Sequence, residues 1–375
     1  MQEVRNYVHK AVEAFSRKDS DAFCSLIMLE EGDPSLQQLQ NALYNMTDES
    51  IRSTVQKEAK TDSRQLKELI SNYLVFAIAS CLNKSTMIDV YEHLSTCYGS
   101  FLSLYTPPDA QWLTPLLMNL SYSLVDWAII ADLESPNAKE LRISDAASKH
   151  LSRAINIVIN DKVSTELVES KKMALYYLAN LMFRVYFKLK STRLMPTLIN
   201  NIAKASVDLS QYPMSQQVTH QFYLGRYHLY QLDLRRAERE LSFAFRNRPS
   251  LTNDEDSDRI IYNNGRLMLL YLTACRLCLG LFPSEQLLHE YDLHSYFAPL
   301  ITAMKSGNLN LLHQTLSAPI FVTWFVKKEI YFLLKEKLDG YIRGYIHSKK
   351  KVLVLSKANP FPTAYSVEVI EEVLS

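Results

Sequence analysis

The fold is decided by the stretch Gln221-Phe-Tyr-Leu-Gly225-Arg-Tyr-His-Leu-Tyr-Gln-Leu-Asp-Leu-Arg-Arg-Ala237-Glu-Arg-Glu-Leu241-Ser-Phe-Ala244-Phe-Arg-Asn-Arg-Pro249. It predicts two antiparallel helices with a turn near residues 231–234. Gly225 and Ala237 allow the two backbones to approach closely, and Ala244 leaves room for a side chain of the next helix. Pro249 ends the second helix, because proline has no backbone N–H and restricts the residue before it.

The offsets of these small residues are those of a tetratricopeptide-type (TPR-like) repeat. Because one helix pair cannot bury its apolar face alone, similar pairs are expected on either side. Apolar residues recur with helical spacing elsewhere, and this spacing predicts helices over residues 66–82, 87–105, 112–133, 144–159, 171–190 and 260–279. The sequence therefore predicts a mainly α fold, a TPR-like helical-repeat superhelix of the α-solenoid type.

Helix ends carry signals of their own. Thr47 begins a run that resembles a helix cap, and residues 52–64 are predicted to form a solvated helix or a loop. Residues 252–258 are predicted to be an acidic connector. Gly280 follows the helix predicted over residues 260–279, where a glycine favours the left-handed conformation that ends a helix.

Composition narrows the class of protein and its compartment. The chain has 375 residues, a net charge of +1, 47% hydrophobic residues and only 8 Gly, which suits helices and short turns better than a glycine-rich α/β enzyme. Its 5 Cys are scattered and odd in number, which indicates a reducing compartment. No cleavable leader and no apolar run long enough for a bilayer is evident, so no membrane association is expected.

No motif in the chain points to catalysis. Cys275-Arg-Leu-Cys278 is a lone C-x-x-C inside a predicted helix. A zinc site needs four ligands, so two buried thiols are the favoured interpretation. Gly340-x-x-x-Gly344 lacks the Lys-Ser/Thr pair of a phosphate-binding loop. We therefore expect no enzyme activity, no cofactor and no metal site.

Positive charge is concentrated near the C-terminus. Residues 321–338 are predicted to form a helix, and residues 341–346 and 352–355 to form two strands joined by a lysine-rich turn. Residues 321–360 contain nine basic and three acidic side chains, an excess of six charges in a chain whose total is +1. Lysines can simply blunt a sheet edge, but this concentration favours nucleic acid or an acidic protein as the partner. The predicted nucleic-acid-binding residues are Lys327, Lys328, Arg343, Lys349, Lys350, Lys351 and Lys357.

Several motifs together resemble the PCI-domain family. They are Leu224-Gly225-Arg226-Tyr227, Ala237-Glu238-x-x-Leu241-Ser242-Phe243-Ala244-Phe245, Gly307-Asn308-Leu309, Gly344-Tyr345-Ile346 and Ser356-Lys357-x-Asn359-Pro360-Phe361-Pro362. The resemblance covers residues 171–362 and is weak before them. Within the family, the chain is most similar to a branch with two kinds of subunit. One is the twelfth, peripheral subunit associated with the COP-nine signalosome in fungi, and the other is the PCI subunit of the nuclear transcription-and-mRNA-export complex.

The resemblance implies a helical-repeat superhelix capped by a C-terminal winged-helix (PCI) module, without catalytic activity. It also implies three kinds of partner. A second PCI protein would pair winged helix to winged helix, a small acidic disordered subunit of the proteasome-lid type would bind cationic surfaces near the C-terminal repeats and the winged helix, and RNA or DNA would contact the combined winged-helix surface. Lys349, Lys350 and Lys351 would then lie on the wing.

The winged-helix module departs from the family pattern. The family has a few dozen residues between the first helix of the module and its hairpin, whereas Leu338 is followed here directly by Asp339. Either the module is truncated or the sequence joins residues across a missing segment, and we favour the second interpretation because an isolated hairpin is marginally stable. The predicted domains are residues 1–160 (N-terminal helical repeats), 161–316 (TPR-like helical part of the PCI domain), 317–362 (incomplete winged-helix part) and 363–375 (C-terminal tail).

These inferences lead to two functional hypotheses. The first is a non-catalytic scaffold subunit that binds nucleic acid during transcription-coupled mRNA processing, splicing or export, in the nucleus with the cytoplasm as a further location. The alternative is a protein-only adaptor associated with the COP-nine signalosome and its deneddylation activity, with no nucleic-acid contact and with the lysines facing an acidic partner.

Overall fold

The structure of the chain is a computed structural model. It describes residues 2–27, 34–81, 86–134, 142–162, 166–306, 308, 311, 314–315, 344–347 and 352–355. The chain divides into two compact units, Met1–Tyr212 (unit 1) and Pro213–Ser375 (unit 2). The domain boundaries predicted from the sequence remain predictions, and the helix predicted over residues 321–338 lies outside the described residues.

Unit 1 is built from α-helices that pack mainly on their neighbours in sequence, as expected for stacked repeats. A 3₁₀ helix, Pro108–Leu113, links α6 to α7, and another, Lys171–Ala174, precedes α9. The helices described in this unit are α1 Gln2–Ser16, α2 Ser20–Leu26, α3 Pro34–Leu43, α4 Asp48–Glu58, α5 Arg64–Cys81, α6 Met87–Tyr105, α7 Thr114–Glu134, α8 Arg142–Ile159, α9 Leu175–Lys188 and α10 Met195–Lys204.

Helix α8 shows how the apolar spacing produces the core of unit 1. Its buried side chains recur every three or four residues and therefore lie along one face of the helix. They are Ala147, Leu151, Ala154, Ile155 and Val158. The start of α8 is held by the buried Asp132 of α7, whose carboxylate accepts hydrogen bonds from the backbone N–H groups of Ile143 and Ser144 at 3.1 and 2.9 Å. The position of α8 against α7 is thus set by packing and by a cap.

Helix α7 is the most apolar helix of unit 1. By length and composition, Pro108–Glu134 could cross a membrane, and in that respect it differs from the expectation that no run is long enough. It is a core element of unit 1, because more than half of its most apolar 18-residue window is buried within the chain. Leu116, Leu117, Leu120 and Leu124 are all essentially inaccessible to solvent.

Unit 2 contains five described α-helices and one hairpin. Its helices are α11 Met214–Tyr230, α12 Leu234–Arg246, α13 Glu255–Cys278, α14 Glu285–Glu290 and α15 His294–Ser306, and its strands are β1 Gly344–His347 and β2 Val352–Leu355. A core of buried apolar side chains joins α11, α12 and α13. The prediction of a mainly α, TPR-like helical-repeat fold is confirmed, and both predicted strands are present in antiparallel pairing.

The predicted helix pair is α11 and α12, and it packs for the predicted reason. A Cβ atom built at Gly225 would lie 2.6 Å from Cγ of Leu241 and 3.1 Å from its backbone N. Ala237, Leu241 and Ala244 are fully buried. The turn falls at the predicted position, residues 231–234, and Leu232 adopts a left-handed φ of 61° there. Close approach therefore explains the small residues of this stretch.

The acidic run before α13 is partly helical, which corrects the prediction of a connector over residues 252–258. Helix α13 begins at Glu255, because the side chain of Asp254 accepts a hydrogen bond from the backbone N–H of Ser257 at 3.0 Å and caps the helix. Glu255, Asp256 and Asp258 stand in its first turn, where negative charge favours the helix dipole. At the other end, Gly280 takes the expected left-handed φ of 76°.

The starts of two other helices can be compared with their predictions, and one of the two differs. Thr47 caps α4 as predicted, its side chain accepting from the N–H of Ser50 at 3.3 Å, and the solvated segment after it is helical as far as Glu58. The single helix predicted over residues 171–190 begins instead as the 3₁₀ helix Lys171–Ala174. This change of geometry accompanies the burial of Lys171, which is 2% exposed.

Candidate nucleic-acid interface

The hairpin predicted to carry the lysines pairs in a fixed register. Gly344 lies opposite Leu355 and His347 opposite Val352, so residues 348–351 connect the two strands. Lys349, Lys350 and Lys351 belong to that connection and lie outside the described residues. The same holds for the other predicted nucleic-acid-binding residues, Lys327, Lys328, Arg343 and Lys357. Their role in binding therefore remains a prediction.

The described part of unit 2 contains a second concentration of positive charge, a row of arginines on α12. Arg235, Arg239 and Arg246 are exposed. Because successive helical residues advance by 100°, these three positions lie within about 40° of one another around the helix axis. They span eleven residues, or about 16 Å at 1.5 Å per residue. We call these three residues the arginine row.

The acidic residues next to the arginine row are already engaged. Glu238 Oε1 accepts from Nε and Nη2 of Arg276 at 3.0 and 2.9 Å and from Oγ of Ser242 at 2.8 Å. Arg276 also donates to Ser242 Oγ at 3.0 Å, so Arg276 and Glu238 form a neutral ion pair beside the row. The hydrogen bonds from Ser242 and Arg276 help to hold the pKa of Glu238 below its usual value despite burial. The exposed face of α12 is therefore predominantly cationic.

Glu240 is half-buried beside the arginine row, with its Oε1 atom 3.9 Å from Nη2 of Arg239. Its Oε2 atom lies 3.7 Å from Nε2 of His228 and has no hydrogen-bond partner in the structure. Burial raises the pKa of Glu240 to about 7, against the opposing effect of Arg239. Burial also lowers the pKa of His228. Near pH 7, His228 is therefore neutral and Glu240 is only partly ionised, so Glu240 offsets part of the charge of Arg239.

Replacing Glu240 with glutamine is expected to stabilise the protein at high pH. The folded pKa of about 7 lies above the ordinary value of 4.5, so the folded state is penalised as pH rises from about 5 to 7 and stays penalised above. We expect the glutamine variant to be more stable than the natural protein by about 1–2 kcal/mol at pH 8, allowing for partial solvent screening. The advantage should be small at pH 4.5 and vanish at lower pH, where Glu240 is protonated in both the folded and the unfolded state.

Urea unfolding of the full chain at the two pH values measures this difference. A variant that is less stable than the natural protein at pH 8 would show that Glu240 forms a favourable ion pair there. Glu92→Gln is a suitable control, because it makes the same substitution at an exposed position in the interior of α6.

The C-x-x-C pair behaves as two thiols inside α13. Cys275 is buried and its Sγ lies 3.4 Å from the carbonyl oxygen of Leu234. Burial raises the pKa of Cys278 to about 12 and raises that of Cys275 as well. Thiols with such pKa values are protonated at neutral pH and poor metal ligands. In the part of the chain that the structure describes, no three His, Cys, Asp or Glu side chains lie close enough together to hold a metal ion.

Comparison with known proteins identifies the family. No family model matches the chain. A PCI domain-containing protein of Schizosaccharomyces pombe is 30% identical over 348 residues, which cover 90% of this chain and 76% of the relative. This chain belongs to the PCI-domain family. The resemblance found in the sequence motifs is therefore confirmed.

Other PCI relatives extend the comparison to animals and to the signalosome. PCI domain-containing protein 2 of Xenopus laevis is 27% identical over 345 residues, covering 76% of this chain and 83% of the relative. A protein named CSN12 homolog in Gibberella zeae is 32% identical over 222 residues, covering 57% of this chain and 46% of the relative. Together they support a scaffold subunit of a PCI-containing complex.

The arginine row of this PCI protein was not predicted, although it lies within the stretch that decides the fold. The small and apolar positions of that stretch were used to define the packed face. The remaining positions, Arg235, Arg239 and Arg246, follow a spacing of four and seven residues, which is the signal for one helix face. A search for charge periodicity on the unpacked side of the repeat would have found them.

Proposed function

We propose that this chain is a non-catalytic PCI scaffold subunit that binds nucleic acid and acts in transcription-coupled mRNA processing or export in the nucleus. It pairs with a second PCI protein and with a small acidic subunit. Family membership supports the scaffold role. The nucleic-acid contact is supported by one observation above all, the exposed arginine row on α12, to which the lysines of the hairpin connection add charge in the sequence.

The arginine row suits a phosphate backbone in both chemistry and length. Guanidinium groups donate two parallel hydrogen bonds to phosphate oxygens and remain charged at every physiological pH. The row is about 16 Å long, which matches about five phosphates of one strand at 3.4 Å each. Such contacts attract nucleic acid without reading its sequence. The proposal therefore predicts salt-dependent binding with weak sequence preference.

Reversing the charge of the row is expected to weaken nucleic-acid binding and its salt dependence. The variant carries Arg235→Glu, Arg239→Glu and Arg246→Glu. If each arginine neutralises one phosphate, the slope of log affinity against log salt concentration should fall by about 3, at about 0.9 per contact on duplex. Gel-shift titrations of the full chain with a labelled duplex and a labelled single-stranded RNA, at several salt concentrations, measure this slope.

A matched variant controls for net charge. Lys10→Glu, Lys57→Glu and Lys204→Glu reverse three exposed cations in unit 1 and should leave most of the slope intact. An equal loss in both variants would attribute binding to overall charge, and full binding by the arginine variant would contradict a role for the row. A third variant, with Lys349→Glu, Lys350→Glu and Lys351→Glu, tests the hairpin connection separately.

A second candidate function is a signalosome-associated adaptor without nucleic-acid contact. The similarity to a protein named CSN12 homolog favours it. Under this alternative, the cationic residues face an acidic protein surface. Affinity purification of the chain from its native source, followed by mass spectrometry, distinguishes the two complexes. Recovery of signalosome subunits, combined with no gel shift at low salt, would support the adaptor over the nucleic-acid-binding subunit.

A further inference from the structure

A cavity of about 890 Å³ lies in unit 1. One wall is the exposed side of α8, and the other is the segment that leaves α6. The lining residues are Thr106, Pro108, Lys149, Ser152, Arg153, Asn156, Ile157, Asn160, Asp161, Lys162 and Lys171.

The cavity is elongated along α8. Its lining includes residues from each turn between Lys149 and Asn160, a rise of about 16 Å at 1.5 Å per residue. An extended peptide advances about 3.3 Å per residue, so about five residues would fill this length. The lining residues thus form a trough along one face of α8 that is long enough for an extended chain.

The trough carries an excess of positive charge. Lys149, Arg153 and Lys162 are exposed, whereas Asp161 is the one acidic residue among the lining side chains. Asp161 Oδ2 already accepts hydrogen bonds from Ser170 Oγ at 2.7 Å and from the backbone N–H of Lys171 at 2.8 Å.

The contacts of the exposed cations leave them available to a ligand. Lys149 Nζ lies 2.9 Å from Asp145 Oδ2, but both side chains are exposed and such a surface pair contributes little. Arg153 Nη2 reaches Ser103 Oγ at only 3.4 Å. A carboxylate ligand could therefore form ion pairs with Lys149 and Arg153 without breaking a strong existing contact.

The spacing of the cations matches an extended acidic chain. Lys149 and Arg153 are four residues apart on α8, about 6 Å along its axis, and alternate side chains of an extended peptide are about 6.6 Å apart. Farther along, the amides of Asn156 and Asn160 offer groups suited to peptide N–H and C=O. We propose that this trough binds an extended acidic peptide segment of another protein, with carboxylates at alternate positions facing Lys149 and Arg153.

The lining chemistry favours a peptide over nucleic acid. None of the lining residues is Phe, Tyr, Trp or His, and single-stranded nucleic acids gain much of their affinity from stacking on aromatic rings. The family resemblance places an acidic chain near the C-terminal repeats and the winged helix. The trough lies in unit 1 and is a separate site, independent of the nucleic-acid contact proposed for α12.

Fluorescence anisotropy with a labelled decapeptide of alternating Glu and Ser tests the proposal on the full chain. We expect saturable binding that weakens with salt and that falls about tenfold or more when Lys149→Glu and Arg153→Glu are combined. The same peptide with Lys in place of Glu should not bind. The variant Lys149→Gln and Arg153→Gln, which removes charge without reversing it, should show a smaller loss in the same direction.

Three outcomes would overturn the proposal. The first is unchanged peptide binding by both trough variants while thermal melting shows them folded. The second is an equal loss in Lys10→Glu with Lys57→Glu, a matched double reversal elsewhere in unit 1, since binding would then depend on overall charge. The third is displacement of the peptide by oligouridylate of similar length at lower concentration, which would assign the trough to nucleic acid.

Discussion

Replacing Lys171 with methionine is expected to lower the free energy of unfolding by about 3–4 kcal/mol. The buried Nζ donates to the carbonyl oxygens of Tyr105 at 2.7 Å, Thr106 at 3.3 Å and Pro107 at 2.6 Å, at the end of α6. It also lies 4.7 Å from the centre of the Tyr105 ring. Methionine keeps most of the apolar stem but leaves three carbonyl groups without their donor.

The change is measured by urea unfolding of the full chain. Burial lowers the pKa of Lys171, which shows that its ammonium group carries a desolvation cost in the folded protein. The three hydrogen bonds offset this cost, and methionine has neither the cost nor the bonds. Lys149→Met, on the exposed side of α8, is the matched control and should change stability by no more than about 0.5 kcal/mol. An unfolding midpoint for the Lys171 variant equal to that of the control would show that the three hydrogen bonds contribute nothing net.

The contact between Gly225 and Leu241 predicts that the cost of Gly225→Ala depends on the leucine side chain. Gly225→Ala should destabilise the natural protein by about 1–2 kcal/mol, because the added methyl group would overlap a fully buried leucine and this cost exceeds the gain in helix propensity. Leu241→Ala alone should cost about 2–5 kcal/mol through the cavity that it leaves. In the Leu241→Ala background, the cost of Gly225→Ala should fall to about zero, because the overlap with the leucine side chain is gone and only the backbone N of residue 241, at 3.1 Å, still opposes the gain in helix propensity.

The four proteins form a double-mutant cycle, measured by chemical unfolding under one set of conditions. The interaction energy isolates the contact between the two helices from the intrinsic preference of alanine. Gly99→Ala on α6 is a suitable control, because no atom lies within 4 Å of the added Cβ there. If Gly225→Ala destabilised both backgrounds equally, close approach to Leu241 would not be the reason for a glycine at this position.

Local patterns allowed much of the fold to be predicted. The pairing of α11 with α12, the cap at Thr47 and the glycine that ends α13 each depend on a few neighbouring residues. The start of α13 was placed too late, because a run of acidic residues is as typical of a solvated loop as of a first helical turn. Deciding between them required the capping hydrogen bond of Asp254, which only the structure supplies.

Contacts between distant residues could not be predicted. The ammonium group of Lys171 meets carbonyl groups 64 to 66 residues earlier in the chain, and lysine is rarely buried, so no pattern indicated its place. The salt bridge from Arg276 to Glu238 spans 38 residues and is equally invisible. For the candidate interface, the sequence predicted an excess of positive charge in residues 321–360. The alignment of three arginines on α12 could be recognised only once the packed face of that helix was known.

The bond network around Lys171 also bears on how the chain can be divided for expression. A fragment that stopped before residue 171 would uncover the end of α6 and lose the group that ties it to the next layer. Extending such a fragment to Tyr212 retains Lys171 and also the hydrogen bond from Tyr212 Oη to the Lys172 carbonyl at 2.6 Å. A fragment designed in this way would retain the hydrogen bonds that connect the end of α6 to Lys171 and the one that connects Lys172 to Tyr212.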